Sequence, residues 1–123
     1  MLDGDLHQEN ILFREGNACP IDFECLYRAH FLYDLGVSLY HLLYLKDASV
    51  RQGLFEGYQT VRKPGDMPPL AFEAFVCMAA LANLAFQVTL PQQRASPLLL
   101  RNVQEFAGIF CHKLVAQEPF VLV

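Results

Sequence analysis

Six residues within the first 34 positions of this chain carry side chains that could do chemistry together: Asp5, His7, Asn10, Asp22, Glu24 and Asp34. Carboxylates gathered in one place repel one another unless a cation or a basic ligand sits among them. The spacing supplies a way to gather them. Asn10 opens one apolar run, Asn10-Ile11-Leu12-Phe13, and Cys19-Pro20-Ile21-Asp22-Phe23 forms a second. Arg14-Glu15-Gly16-Asn17 between them ends in good turn chemistry, so the pattern predicts a β-hairpin. Antiparallel pairing would bring the two ends, Asn10 and Asp22, to about 5 Å across the ladder. An amide oxygen and a carboxylate at one mouth suit a hard divalent ion such as Mg²⁺, which takes a few protein oxygens and keeps waters. Asp5 lies on the loop that leads into the same place.

Helices must carry this loop and hairpin, because two strands alone cannot bury both faces. Phe31 to Leu45 turns helical, with Leu35, Leu39, Leu42 and Leu43 at helical spacing, Asp34 as N-cap or first-turn acid and Lys46 closing the last turn. A second helix is expected from Asp47 or Ser49 to about Val61, with Val50, Leu54, Tyr58 and Val61 as its apolar stripe. Pro64-Gly65 and Pro68-Pro69 bracket a loop. A third helix runs from about Pro69 to Val88. Its polar residues Glu73, Asn83 and Gln87 fall within an arc of about 80°, and the rest of its surface is apolar, so it must be covered on most sides. Ser96-Pro97 is a strong start signal for a fourth helix reaching about Ala116, with Leu99, Val103, Phe106 and Phe110 inward and Arg101, Glu105 and His112 outward. The apolar tail from Glu118 to Val123 has no evident role. The fold class is therefore α+β and predominantly helical: a short hairpin followed by about four helices.

Composition narrows the function. Residues 1–34 hold seven acids and two bases, a balance of −5; the remainder holds seven bases and six acids, a balance of +1. A net charge of −4 argues against nucleic-acid binding, which needs a basic stripe to displace counterions. The start Met1-Leu2-Asp3-Gly4-Asp5 is acidic, unlike a signal peptide. The longest apolar run, Ala74 to Ala82, is far shorter than the ~20 residues that span a bilayer. Cys19, Cys25, Cys77 and Cys111 show neither C-x-x-C nor zinc-ligand spacing and read as reduced thiols of a cytoplasmic protein.

The motifs themselves point further. Gly4-Asp5-Leu6-His7-Gln8-Glu9-Asn10-Ile11-Leu12, then Ile21-Asp22-Phe23-Glu24, then Tyr33-Asp34-Leu35 stand in order around the hairpin. This closely resembles, over roughly residues 2–45, the aminoglycoside phosphotransferase and choline kinase-like family, whose pattern is H-G-D-L-H-x-x-N-h-L, a hairpin, h-D-F/h-D-[DE], and Y-D-L-A opening a helix. Leu54-Phe55-Glu56-Gly57-Tyr58 is similar to the family more loosely. The resemblance implies an ATP-dependent phosphotransferase acting on a small-molecule hydroxyl. Asp5 would orient that hydroxyl and accept its proton. Asn10 and Asp22 would hold Mg²⁺ between the nucleotide phosphates. His7 and Asp34 would support the loop, and Glu24 would sit near the site.

Two departures stand out. Asp3 occupies the position of the family's first histidine. No G-x-G or G-K-[ST] occurs, and Lys46, Lys63 and Lys113 sit at or between predicted helices rather than on a strand beside a nucleotide. The 123 residues therefore read as part of a kinase-like C-terminal lobe: residues 1–24 as catalytic loop and metal-binding hairpin, residues 31–117 as the helical subdomain, with the nucleotide-binding lobe not among them. That lobe, or a self-association partner, would cover apolar surface. Two other readings stay open. One is a non-catalytic kinase-like interaction module. The other is a metal-dependent phosphoesterase, since Gly4-Asp5-Leu6-His7 resembles a G-D-x-H metal motif, though the further His/Asp ligands of a two-metal site are not evident. His30, His41 and His112 read as packing or surface residues.

Overall fold

The computed structural model describes residues 4–23, 26, 28–45, 47–63, 67–68 and 70–123. Strands β1 (Ile11–Arg14) and β2 (Asn17–Pro20) pair antiparallel, Ile11 opposite Pro20 and Arg14 opposite Asn17. Glu15 and Gly16 both take positive φ, 52° and 80°, the two-residue turn whose twist matches a hairpin. The chain then forms α1 (Leu32–Leu42), α2 (Ala48–Val61), α3 (Ala71–Thr89), α4 (Pro97–Glu105) and α5 (His112–Val115). The fold is α+β and predominantly helical, as the patterning predicts.

The caps follow local chemistry. The Asp47 side chain accepts from Ser49 N–H, and Ser96 Oγ accepts from Leu99 N–H, each satisfying a donor that the first helical turn leaves free. Asp34 is not a cap; it lies in the first turn of α1, whose N-cap is Phe31. Residues 43–45 leave the helix as turns, and Lys46 lies outside the described residues. The fourth predicted helix is interrupted: Phe106–Cys111 widens into a π-turn between α4 and α5. Phe106 and Phe110 still pack on the core, while Val103, expected inside, is 43 % exposed.

Helix α1 is the hub. Leu32, Leu35, Val37, Leu39 and Tyr40 are buried against Val76, Cys77, Ala79 and Ala80 of α3. The two helices approach closely at Gly36, where an added Cβ would lie 2.8 Å from the Phe75 Cβ and 2.9 Å from its backbone carbonyl. By length and composition α3 could cross a membrane. Its contacts are those of a core helix on one side only, since Met78, Leu81, Phe86 and Val88 remain exposed. The expectation of cover on most sides is thus corrected. The molecule exposes 8151 Å², against about 6,700 Å² for a folded chain of this mass.

The apolar tail is the element that sequence patterning left without a role. Phe120 and Val121 enter the core, and the Phe120 ring stacks on Phe110 with centroids 5.4 Å apart. Two buried charged side chains grip the tail's backbone. Arg51 Nε donates to Val121 O at 2.7 Å, Nη1 to Leu45 O at 3.1 Å and Nη2 to Val123 O at 3.1 Å. Glu73 Oε1 accepts from the N–H groups of Phe120 and Val121. The apolar stripe expected on α2 is corrected in part. On α2 the buried residue is Arg51, whereas Val50 and Val61 of the predicted stripe are exposed. On α3 Glu73 faces the tail rather than solvent.

Candidate active site

The loop from Gly4 to Asn10 is irregular, so side chains must hold it. Two polar residues one turn apart on α1 do so. Asp34 Oδ1 accepts from Gly4 N–H at 2.8 Å, and Ser38 Oγ donates to Leu6 O at 2.6 Å. Gly4 has φ 76°, a left-handed value that glycine adopts without strain. The loop ends in a single 3₁₀ turn, Gln8–Asn10, capped by His7 Nδ1 accepting from Glu9 N–H.

Inside this frame Asp5, His7 and Asn10 converge. Asn10 is buried, and its Nδ2 donates to Asp5 O at 3.0 Å and to Asp5 Oδ2 at 3.2 Å. His7 Nε2 lies 3.7 Å from Asp5 Oδ1. With Nδ1 accepting, Nε2 carries the proton and faces the carboxyl. Asn10 Oδ1 has no hydrogen-bond partner among the described residues. A buried amide oxygen without a partner is costly, and a cation would satisfy it.

The hairpin carries the backbone that precedes Asp22 alongside Asn10. Ile21 N–H donates to Asn10 O at 2.9 Å, adding one rung beyond the Ile11–Pro20 pair. Asp22 follows directly, exposed, with φ 63°. Non-glycine residues seldom adopt this conformation, and it is enriched in aspartate. Asp22 makes no side-chain hydrogen bond to Asp5 or Asn10. No group of three or more His, Cys, Asp or Glu poised for a metal occurs among the described residues. An Mg²⁺ site needs less, because the ion commonly takes one or two protein oxygens and completes its shell with phosphate and water. Asn10 Oδ1 with Asp22 fits that donor set. Asp3 and Glu24 lie outside the described residues.

Sequence reasoning missed Ser38. It is a polar position on a largely apolar helix, four residues after Asp34, a spacing that places two side chains on one helix face. His41 lies with its ring 4.7 Å from that of His7. Burial first, and then the neighbouring His7, push its pKa below the ordinary 6.5 despite the opposing pull of Asp5 and Glu9. The folded protein therefore binds fewer protons here than the unfolded chain. The stability this contributes is complete above pH 6.5 and is lost as pH falls through the lowered folded value. Denaturant titrations at pH 7.5 and 5 should show a smaller acid loss in His41→Gln than in the parent. Equal losses would contradict the assignment.

Backbone bonds on either side of Asp5 thus tie its loop to α1, and Asn10 leads into the hairpin that Asp22 follows. A profile of the phosphotransferase enzyme family matches residues 4–72, more than half of the chain. The protein belongs to that family. Neither a curated protein nor a solved structure matches it.

Proposed function

We propose that this chain carries the loop acid and the metal-holding hairpin of an ATP-dependent kinase for a small-molecule hydroxyl. Asp5 orients the acceptor hydroxyl and takes its proton. The acceptor oxygen then bonds to the γ-phosphorus, the bond to the β-phosphate oxygen breaks, and ADP leaves. Asn10 Oδ1 and Asp22 would hold Mg²⁺, which neutralises charge on the phosphates when bound. His7 steadies the Asp5 carboxyl, while Asp34 and Ser38 fix the loop backbone. The observation that carries the reading is the Asn10 side chain: buried, donating through Nδ2 to the loop acid, with Oδ1 left over at the hairpin mouth.

A specific feature favours a second reading, a non-catalytic module. Leu12, Phe13 and Phe23 of the hairpin region are 56 %, 76 % and 52 % exposed, an apolar surface of the kind that marks an interface. One experiment separates the two. Titration with ATP and paramagnetic Mn²⁺, followed by NMR, should broaden the amide signals of Asp5, Asn10 and Asp22 before those of the helices. Asp22→Ala should weaken that binding at least about tenfold, the size of effect expected when a metal site loses support. Equal broadening in parent and variant would favour the module.

A further inference from the structure

Helix α3 is apolar on two sides, and only one of them is covered. The covered side also takes up its polar residues. Glu73 is buried against the tail, Gln87 Nε2 donates to Asn83 Oδ1, and Gln87 Oε1 accepts from Asn102 Nδ2 of α4. The Thr89 hydroxyl donates back to Phe86 O. Glu73 is the only charged residue of the 19-residue helix. The outer side therefore runs its whole length, about 28 Å, without a charge. Along it Ala71, Phe75, Met78, Ala82, Ala85 and Thr89 follow at intervals of four, three, four, three and four residues, the first two half-buried and the others exposed. That alternation is the seam spacing of a helix that pairs with another helix.

Shape decides what the seam pairs with. At its start an apolar cleft of about 630 Å³ lies beside Ala71, Ala74 and Phe75, walled by His30, Phe31 and Leu114. Near its end the Phe86 ring is 62 % exposed. Ala74 stands six residues before Ala80, and Phe86 six after it. Two copies set antiparallel about a two-fold axis beside Ala80 therefore bring each Phe86 to the other's cleft, and such an isologous contact closes on itself. The same register sets Met78 beside the partner's Ala82, and Phe75 beside the partner's Ala85, large against small in each layer. Charge does not oppose this pairing. The described lining of the cleft holds no Asp, Glu, Lys or Arg. Asp5 borders the seam at Ala82 and Phe86, with Glu9 and Asp34 behind it, and Arg62 covers Phe31 beside the cleft. These groups stand at the rim, where interfaces are polar and solvated.

We infer that the outer side of α3 is a homodimer interface, in which two copies of this chain pair antiparallel and each inserts Phe86 into the other's cleft. The area suffices. The molecule exposes about 1,450 Å² more than a typical folded chain of its mass, and a stable interface takes about 800 Å² from each partner. The inference is independent of the phosphotransferase reading, since neither nucleotide, metal nor the loop acid takes part in the pairing.

The test is analytical ultracentrifugation of the 123-residue protein, with circular dichroism of each variant to confirm its helices. The parent should sediment as a dimer at about 100 μM and dissociate on dilution. Phe86→Ser, at an exposed position, should weaken the dimer at least about tenfold, as the loss of an aromatic anchor does. Ala85→Glu and Ala74→Lys should each weaken it alone. An equal mixture of those two should pair again, because the antiparallel register sets Ala85 of one copy against Ala74 of the other. Phe13→Ser, on the equally apolar hairpin, should change nothing. A parent that stays monomeric at that concentration would overturn the inference. So would a dimer lost in Phe13→Ser but kept in Phe86→Ser, or a mixture that pairs no better than its components. Parent monomers that bind phosphatidylcholine vesicles, with no dimer in solution, would give this face to lipid and overturn it too.

Discussion

Arg51→Met should lower the unfolding free energy by about 2–4 kcal/mol, given a net value of about 1.5–3 kcal/mol for hydrogen bonds to charged groups and a further penalty for stranded carbonyls. Two effects oppose each other. Removing a buried cation relieves its desolvation, and buried charges replaced by hydrophobes are often neutral or even stabilising. That outcome requires the partners to be replaced as well. Here the partners are main-chain carbonyls that stay in place. Those of Leu45 and Val123 belong to exposed residues and can turn to water, but Val121 is 0 % exposed and its carbonyl has no such recourse. Methionine keeps the aliphatic stem, so the loss reports the guanidinium rather than a cavity. A thermodynamic cycle checks the cause: deleting residues 120–123 removes the groups Arg51 holds in the tail, so Arg51→Met should matter much less in the shortened chain. Equal losses in both backgrounds, or a variant as stable as the parent, would show that the tail is not what Arg51 secures.

That clamp marks where the sequence stopped being readable. Signals that act over a few residues read well: the hairpin from its turn, α2 from Asp47, α4 from Ser96-Pro97. Asp5, Asn10, Asp22 and Asp34 could be singled out because motifs that resemble the family's stand in order around a hairpin whose turn is readable. Arg51, Glu73 and the tail are different. Their bonds span 47 to 72 residues, and nothing in a helical stripe announces that an arginine will turn inward to meet a tail. An arginine on α2 reads as solvated until the carbonyls that accept from it are known, and Val50 reads as core for the same reason.

The site shows the same divide. Asp34 stands in the first turn of a helix, and only the family resemblance marks it as a support for the loop. Ser38, whose bond to Leu6 O completes that hold, belongs to none of the motifs in the sequence. Asn83 and Gln87 were visible as a polar arc on α3, yet their meaning depends on Asn102, which α4 brings across from beyond a loop. The π-turn at Phe106–Cys111 had no signal beyond Gly108, since periodicity read over one rod cannot show where the turn widens.

Glycines on two helices should respond to alanine with opposite signs. In a helix interior Gly→Ala ordinarily stabilises by about 0.5–1 kcal/mol, because alanine has less backbone freedom to lose on folding. Gly53 and Gly57 of α2 have nothing within 4 Å of a new Cβ, so each substitution should return that gain. At Gly36 the same methyl would sit 2.8 Å from Phe75 Cβ and 2.9 Å from its carbonyl carbon and oxygen. Those are largely backbone atoms and cannot rotate aside, so α1 and α3 would have to separate. Overpacking of this kind costs about 1–3 kcal/mol. The strain outweighs the propensity gain, so Gly36→Ala should be net destabilising by roughly 1–2 kcal/mol; Gly36→Val, bulkier and β-branched, should lose more. The displacement would reach the site, because Asp34 and Ser38 flank Gly36 on the helix that latches the loop. Denaturant titrations of the three alanine variants give the signs, and the Gly4 amide resonance reports the latch. A Gly36→Ala protein as stable as the parent, with that resonance unmoved, would mean that α1 and α3 do not approach through this glycine.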